Sequence, residues 1–293
     1  MKRLFGLFVL FLAMGFVPAV ADAAAGHGGT KAVKAGILLV AFGTSEESAQ
    51  VSFDHIETKV RQAYPDIEVR WAYTSHIIRR KLAGQGKQLD SPEIALAKMA
   101  DEGFTHVVVQ SLHTIAGAEY HDLRRVADSF AMMGGFERIA VGDPMMTTQE
   151  DMKRTVEAML AVLPGERKKD EAVVFMGHGT HHPANAFYAA LNFQVQRRDP
   201  HLFIGTVEGY PELDTIIALL QENSIKKVYL MPLMSVAGDH AKNDMAGDEA
   251  DSWKSVLTAE GFEVVPILKG TAEFDEFVAI WVDHIGDSLS GFR

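Results

Sequence analysis

Histidine is the residue type with which this sequence could carry out metal or proton-transfer chemistry, since it has 12 histidines and no cysteine among 293 residues. Each of three candidates follows a segment with the pattern of a buried strand: His178, Glu208 and His240. Two imidazoles and a carboxylate form an open donor set for a divalent cation. Imidazole is also a base near pH 7. Taken singly, each could be a helix cap or a surface group, but their recurrence at three strand ends favours a metal site.

The elements that must position these residues alternate between strands and helices along the whole chain. Ile37–Phe42 is a continuous apolar run, which is typical of a strand buried on both faces of a parallel sheet. The alternation predicts an α/β fold of two similar doubly wound, Rossmann-like domains with parallel sheets and a cleft between them. We predict a signal peptide at residues 1–25, an N-terminal domain at 31–165 and a C-terminal domain at 166–293, which carries the metal ligands. The stretch Asn243–Glu260 is predicted as one helix.

The two predicted domains resemble each other, which suggests an internal duplication. A Gly-Thr pair follows the first strand of each half, at Gly43 and again at Gly179. In this alignment Phe42 occupies the place of His178. The segment Leu112–Glu119 aligns in turn with Leu233–His240, so Glu119 occupies the place of His240. Chance similarity of two strand ends is the alternative. Because ligands bind at the carboxyl ends of parallel strands, the asymmetry places the chemistry on the second half, facing the cleft.

The N-terminus has the pattern of a cleaved secretory signal. A basic start at Lys2 and Arg3 precedes the apolar run Leu4–Val20, and small residues then offer cleavage sites near Ala23. An uncleaved membrane anchor is the alternative, because the run approaches the length of a bilayer span. No other stretch is apolar enough to span, so we expect a periplasmic protein without stable membrane insertion after cleavage.

Composition excludes several classes of function. The formal net charge is −11, which argues against binding nucleic acid through a general positive field. The absence of cysteine excludes disulfide scaffolds and thiolate metal sites. No G-x-x-x-x-G-K motif is present, so no nucleotide is expected.

Several motifs resemble the anaerobic sirohydrochlorin cobaltochelatases, which are small ATP-independent class II chelatases of the CbiK type. The motifs lie at Val40–Ser45, Gln110–Tyr120, Gly177–Thr180, Thr206–Pro211 and Pro232–Gly247. The resemblance implies a chelatase fold, with the tetrapyrrole held between two domains. It implies that Co²⁺, or Fe²⁺, is inserted into sirohydrochlorin. It also implies that His178 and His240 bind the metal and assist deprotonation, with Glu208 as a third ligand.

Further residues are candidates for contact with the tetrapyrrole: His113, Glu119, Phe42 and Lys242. His121, on the following helix, is a candidate haem ligand at a subunit contact, although a histidine on a helix surface is the simpler interpretation. The alternative function is a periplasmic carrier of metal, tetrapyrrole or haem, since two domains around a cleft also suit a carrier. Imidazole and carboxylate do not select among Co²⁺, Fe²⁺, Ni²⁺ and Zn²⁺. The sequence leaves open whether the protein forms a homo-oligomer.

Overall fold

Two four-stranded parallel sheets form the frame of the protein. The computed structural model describes residues 32–292, and the predicted signal peptide lies outside them. The strands of the first sheet are β1 (Ala35–Ala41), β2 (Glu68–Tyr73), β3 (His106–Ser111) and β4 (Arg138–Gly142). They are arranged in the order β2-β1-β3-β4, and every neighbouring pair is parallel.

The second sheet repeats this topology. Its strands are β5 (Ala172–Gly179), β6 (Leu202–Glu208), β7 (Lys227–Pro232) and β8 (Glu263–Pro266). Their order is β6-β5-β7-β8, again with parallel neighbours. Strand β5 therefore corresponds to β1 and β7 to β3, and the predicted α/β fold with two similar sheets is confirmed.

Nine α-helices connect the strands within the described part of the chain. They are α1 (Gln50–Ala63), α2 (His76–Ala83), α3 (Pro92–Asp101), α4 (Ala118–Met132), α5 (Gln149–Ala161), α6 (Ala186–Gln196), α7 (Leu213–Glu222), α8 (Trp253–Ala259) and α9 (Asp275–Ser290). Within residues 32–292, no helix is both long and apolar enough to cross a membrane.

The central strands are buried because helices cover both faces of each sheet. In β1, Ile37 and Leu39 pack into one hydrophobic cluster while Leu38 and Val40 pack into another. All four side chains are fully excluded from solvent. The continuous apolar run of the sequence therefore reports burial on two faces, as expected for a central parallel strand.

The predicted single helix Asn243–Glu260 is wrong. The structure instead has a π-helical turn at Ala241–Met245, an irregular segment, and then α8. The turn ends where the Gly247 N–H bonds to the Asn243 carbonyl. Ser252 then begins a new helix, since its hydroxyl accepts the Ser255 N–H and caps the first turn of α8. The helical pattern of apolar residues continues across this interruption. In the sequence, only the capping residue Ser252 indicates that a new helix begins.

Helix α9 returns to the first sheet although it ends the second half of the sequence. It packs against β3 and β4 and against α1 and α5. One hydrophobic cluster runs through both halves and includes Ile37, Phe175 and Trp281. The predicted boundary at 165/166 lies between the last strand of the first sheet and the first strand of the second. The division into two domains at this point stays a prediction, because α9 packs on the first sheet.

A buried polar network fixes α9 in this position. His284, on α9, lies 3.0 Å from the Asp151 carboxylate through Nε2 and 3.0 Å from the Asp143 carbonyl through Nδ1. Asp151 also forms a capping box with Thr148 at the start of α5. Burial raises the pKa of Asp151, but hydrogen bonds from Thr148 and His284 outweigh this effect and hold the pKa below its ordinary value. The network joins α5, α9 and the segment after β4.

Candidate metal site

His178 lies at the carboxyl end of β5, a central strand of the second sheet. In open parallel sheets, ligands bind at the carboxyl ends of the strands. His178 is half-buried, and its Nδ1 lies 2.9 Å from the Gly179 carbonyl oxygen. A carbonyl only accepts hydrogen bonds, so Nδ1 carries the proton in this contact. The Nε2 atom of the neutral ring is then left with a free lone pair.

His240 precedes the π-helical turn and lies next to His178. The two ring centroids are 4.6 Å apart, and the rings are perpendicular. The Nδ1 atom of His240 lies 2.5 Å from the Asp244 carboxylate, one helical turn along the chain. This contact again assigns the proton to Nδ1 and leaves Nε2 with its lone pair. The structure thus brings together the two predicted imidazoles, with both oriented by acceptors on the protein.

Glu208 ends β6 beside the strand of His178, and its side chain is exposed. It is the register partner of Gly179. Gly179 has a φ of +77°, and a Cβ at this position would lie 2.2 Å from the Glu208 carbonyl oxygen. Only glycine permits this close approach of the two strand ends. Among residues 32–292, no group of three or more His, Asp or Glu side chains has metal-holding geometry, so the role of Glu208 as third ligand stays a prediction.

The first half of the protein supplies the corresponding positions without imidazoles. The Leu112 N–H bonds to the Val40 carbonyl, and the Leu233 N–H bonds to the Met176 carbonyl in the same way. This equivalence places Phe42, two residues after Val40, at the position of His178. Phe42 is 49% exposed, an unusual state for a large aromatic side chain beside a buried strand.

Glu119 matches His240 by the same alignment of the halves. It is an exposed residue in the first turn of α4, where its carboxylate is favoured by the helix dipole. Its predicted contact with a tetrapyrrole, like that of Phe42, stays a prediction.

His113 follows β3, and its Nε2 atom is buried although a residue that binds substrate should be accessible. Its Nδ1 atom lies 2.8 Å from the Ser111 hydroxyl. Its Nε2 atom is buried and has no hydrogen-bond partner in the described part of the chain. Burial lowers the pKa of His113 to about 4, so the ring is neutral at pH 7. Its substrate-binding role stays a prediction, and in this structure its Nε2 is shielded from solvent.

Lys242 is engaged by a carboxylate from the other half of the protein. Its ammonium lies 2.6 Å from Glu46, in the loop that follows β1. The hydrogen bond from Lys242 holds the pKa of Glu46 below its ordinary value, against the opposing effect of burial. This ion pair ties the segment that carries His240 to the first sheet. A substrate carboxylate could reach Lys242 only in competition with Glu46.

His121 lies on α4 and faces a histidine of the second half. Its ring centroid is 5.2 Å from that of His182. The Nδ1 atom of His182 accepts the Ala184 N–H and caps a short 3₁₀ turn. The role of His121 as a haem ligand stays a prediction; the residue is exposed on α4, and its ring contacts His182 of the second half.

Two residues at the site escaped the sequence-based prediction. Asp244 was placed inside a regular helix, although its spacing of four residues from His240 was a usable signal. Glu46 carried no signal, because its partner Lys242 is 196 residues away in the chain.

Several known proteins are similar to this chain. A family model described as cobalt chelatase (CbiK) matches residues 34–290. The sirohydrochlorin cobaltochelatase CbiKC of Nitratidesulfovibrio vulgaris is 51% identical over 259 residues, which cover 88% of this chain and 91% of that protein. The sirohydrochlorin cobaltochelatase of Salmonella typhimurium is 37% identical over 260 residues, which cover 88% of this chain and 97% of that protein.

Two solved structures share the fold at low sequence identity. SirB from Bacillus subtilis with Fe³⁺ superposes with a TM-score of 0.59 at 16% identity, over 89% of this chain and 97% of that one. CbiX, the terminal enzyme for biosynthesis of sirohaem in denitrifying bacteria, gives a TM-score of 0.53 at 14% identity, over 86% of this chain and 98% of that one.

Proposed function

The chain belongs to the CbiK family of cobalt chelatases, and from this premise we propose that it inserts Co²⁺ into sirohydrochlorin without ATP. The observation that carries the proposal is the perpendicular pair His178 and His240, which lies at the carboxyl edge of the second sheet. Both rings have Nδ1 engaged by an acceptor, so both Nε2 atoms can meet a cation or a proton.

The reaction requires a site that gives up its metal. Insertion of M²⁺ breaks two pyrrole N–H bonds, forms bonds from the metal to the pyrrole nitrogens, and releases two protons. Two imidazoles hold Co²⁺ through Nε2 before transfer, and each regains a lone pair for a proton once the metal has left. A chain without cysteine lacks the thiolates that would retain the metal. Glu208, beside His178, offsets part of the metal's charge.

An absorbance assay under anaerobic conditions tests this proposal. Purified protein is mixed with a large excess of sirohydrochlorin and Co²⁺, and the spectral change is followed against a protein-free control. An enzyme gives many turnovers for each protein molecule. A carrier, which is the alternative function, gives an absorbance change that corresponds to no more than one tetrapyrrole or metal bound per site. A rate equal to the protein-free control would overturn the proposal.

Asp244 is proposed to orient His240 and to strengthen it as a ligand. We expect Asp244→Asn to raise the apparent KM for Co²⁺ by about 10- to 100-fold, because partners of this kind fix the ring and raise its basicity. Insertion rates at varied Co²⁺ concentration measure the effect. The matched control is Asp239→Asn, since Asp239 is exposed and bonds to Asn243 instead of a histidine. Equal behaviour of the two variants would contradict the role of Asp244.

We also propose that the protein acts in the periplasm after removal of residues 1–25. The support is the basic start and the apolar run Leu4–Val20, followed by small residues near Ala23. Intact-mass measurement on the protein from separate cell fractions tests this. A full-length protein found only in the cytoplasm would contradict it.

A further inference from the structure

The side chain of Asn185 joins the two loops that follow His178 and Glu208. Its Oδ1 atom accepts the Thr180 N–H at 3.0 Å, two residues after His178. Its Nδ2 atom donates to the Tyr210 carbonyl at 2.7 Å, two residues after Glu208. One carboxamide therefore spans the gap between the two strand ends, using its acceptor on one side and its donor on the other.

The loop after β6 is shaped to receive this carboxamide. Gly209 has a φ of +141°, and a Cβ at this position would lie 2.6 Å from Asn185 Oδ1. A side chain at residue 209 would therefore displace Asn185, so the glycine allows the loop to pack directly on the amide. The loop therefore contacts the Asn185 side chain through backbone atoms of the loop.

Other bonds hold each loop in its own shape. The Thr206 N–H bonds to the Pro211 carbonyl at 2.7 Å and closes the loop after β6. The Asn185 N–H bonds to the His182 carbonyl at 2.9 Å and anchors the short turn that carries Asn185. Loss of the Asn185 side chain leaves these bonds in place, and removes the side-chain bridge between the loops.

We propose that Asn185 is a positioning residue for metal handling, which holds Glu208 next to His178 so that the carboxylate can join the two imidazoles on the cation. This inference rests on the proposed function for the identity of the metal. Because Glu208 is exposed and no three-residue donor group is assembled among residues 32–292, the carboxylate must turn toward the histidines when the metal arrives. Because the Asn185 bond holds the backbone at Tyr210, that movement is confined to the Glu208 side chain.

Asn192 offers a matched control on the same stretch of chain. It lies in α6, and its Oδ1 accepts the Ile204 N–H at 2.9 Å, so it also ties this segment to β6. Its contact is in the middle of the strand and four residues before Glu208. Substituting Asn192 therefore tests the effect of loosening α6 from β6 without touching the bridge between the two site loops.

The experiment compares Asn185→Ala with Asn192→Ala in two measurements. Titration calorimetry with Co²⁺ alone gives the Kd, and the insertion assay gives KM for Co²⁺ and kcat. We expect Asn185→Ala to raise both the Kd and the KM for Co²⁺ by about 10-fold or more. We expect Asn192→Ala to lower Tm and to leave both metal constants unchanged. A wild-type Kd in Asn185→Ala, or an equal rise in Asn192→Ala, would overturn the inference.

A second variant keeps the test decisive if Asn185→Ala folds poorly. Asn185→Leu keeps a branched, uncharged side chain but has neither the acceptor for the Thr180 N–H nor the donor for the Tyr210 carbonyl, so the bridge is lost without adding a charge near the metal. The same rise in Kd is expected, and a wild-type Kd would again overturn the inference. Failure of the proposed function has a different signature, which is a wild-type protein that binds Co²⁺ and shows no insertion.

Discussion

Replacement of His178 or His240 with alanine is expected to slow cobalt insertion by at least about 100-fold. The ring centroids of His178 and His240 are 4.6 Å apart, and each ring supplies one Nε2 lone pair. Removal of either leaves one imidazole to hold the metal and to accept a pyrrole proton. Because the two act as a unit, the double variant is expected to be about as slow as either single variant.

His181 supplies the control for this prediction. It lies three residues after His178 and is exposed, so His181→Ala removes an imidazole from the loop after β5 and leaves the pair intact. Steady-state rates with sirohydrochlorin and Co²⁺ are measured for the wild type and all four variants, after circular dichroism has shown that they are folded. Full activity in His178→Ala or His240→Ala would refute the site while leaving the function open.

The largest expected effect on stability comes from Asp151→Ala. This substitution leaves His284 buried without its carboxylate, and it removes the capping box of α5. Removal of one partner of a buried hydrogen bond to a carboxylate is costly, so the free energy of unfolding is expected to fall by about 3 kcal/mol. Urea denaturation followed by circular dichroism at pH 7 measures the change.

An exposed pair of the same chemistry provides the comparison. His55 and Asp275 are 2.8 Å apart, but the Asp275 side chain is 62% exposed, against 8% for Asp151. Water solvates either partner when the other is lost, so Asp275→Ala is expected to have a much smaller effect. Equal losses in the two variants would show that burial does not decide the strength of the His284 contact.

The same variant has a predictable dependence on pH. The pKa of Asp151 is lower in the folded protein than its ordinary value, so the carboxylate stabilises the fold above about pH 4. This contribution is lost as the pH falls through the folded pKa. The difference in stability between wild type and Asp151→Ala should therefore shrink on acidification. A difference that grows toward low pH would contradict the sign.

The sequence by itself determined the alternation of strands and helices and the pairing of His178 with His240. Both results follow from local information. Apolar runs such as Ile37–Phe42 mark central parallel strands, and the carboxyl ends of such strands meet at one edge of a sheet. Residues that follow two neighbouring strands must therefore come close together, whatever the rest of the chain does.

The tertiary structure alone decided which groups surround and support these residues. Periodicity continued through Asn243–Glu260 and hid the π-helical turn at Ala241–Met245, although the four-residue spacing of His240 and Asp244 was visible in the sequence. The ion pair of Lys242 with Glu46 and the return of α9 to the first sheet join residues that are far apart in the chain. Such contacts depend on how the two sheets pack, and local patterns of polarity carry no information about that packing. The sequence thus located the two imidazoles, whereas the packing of the two sheets determined what surrounds and supports them.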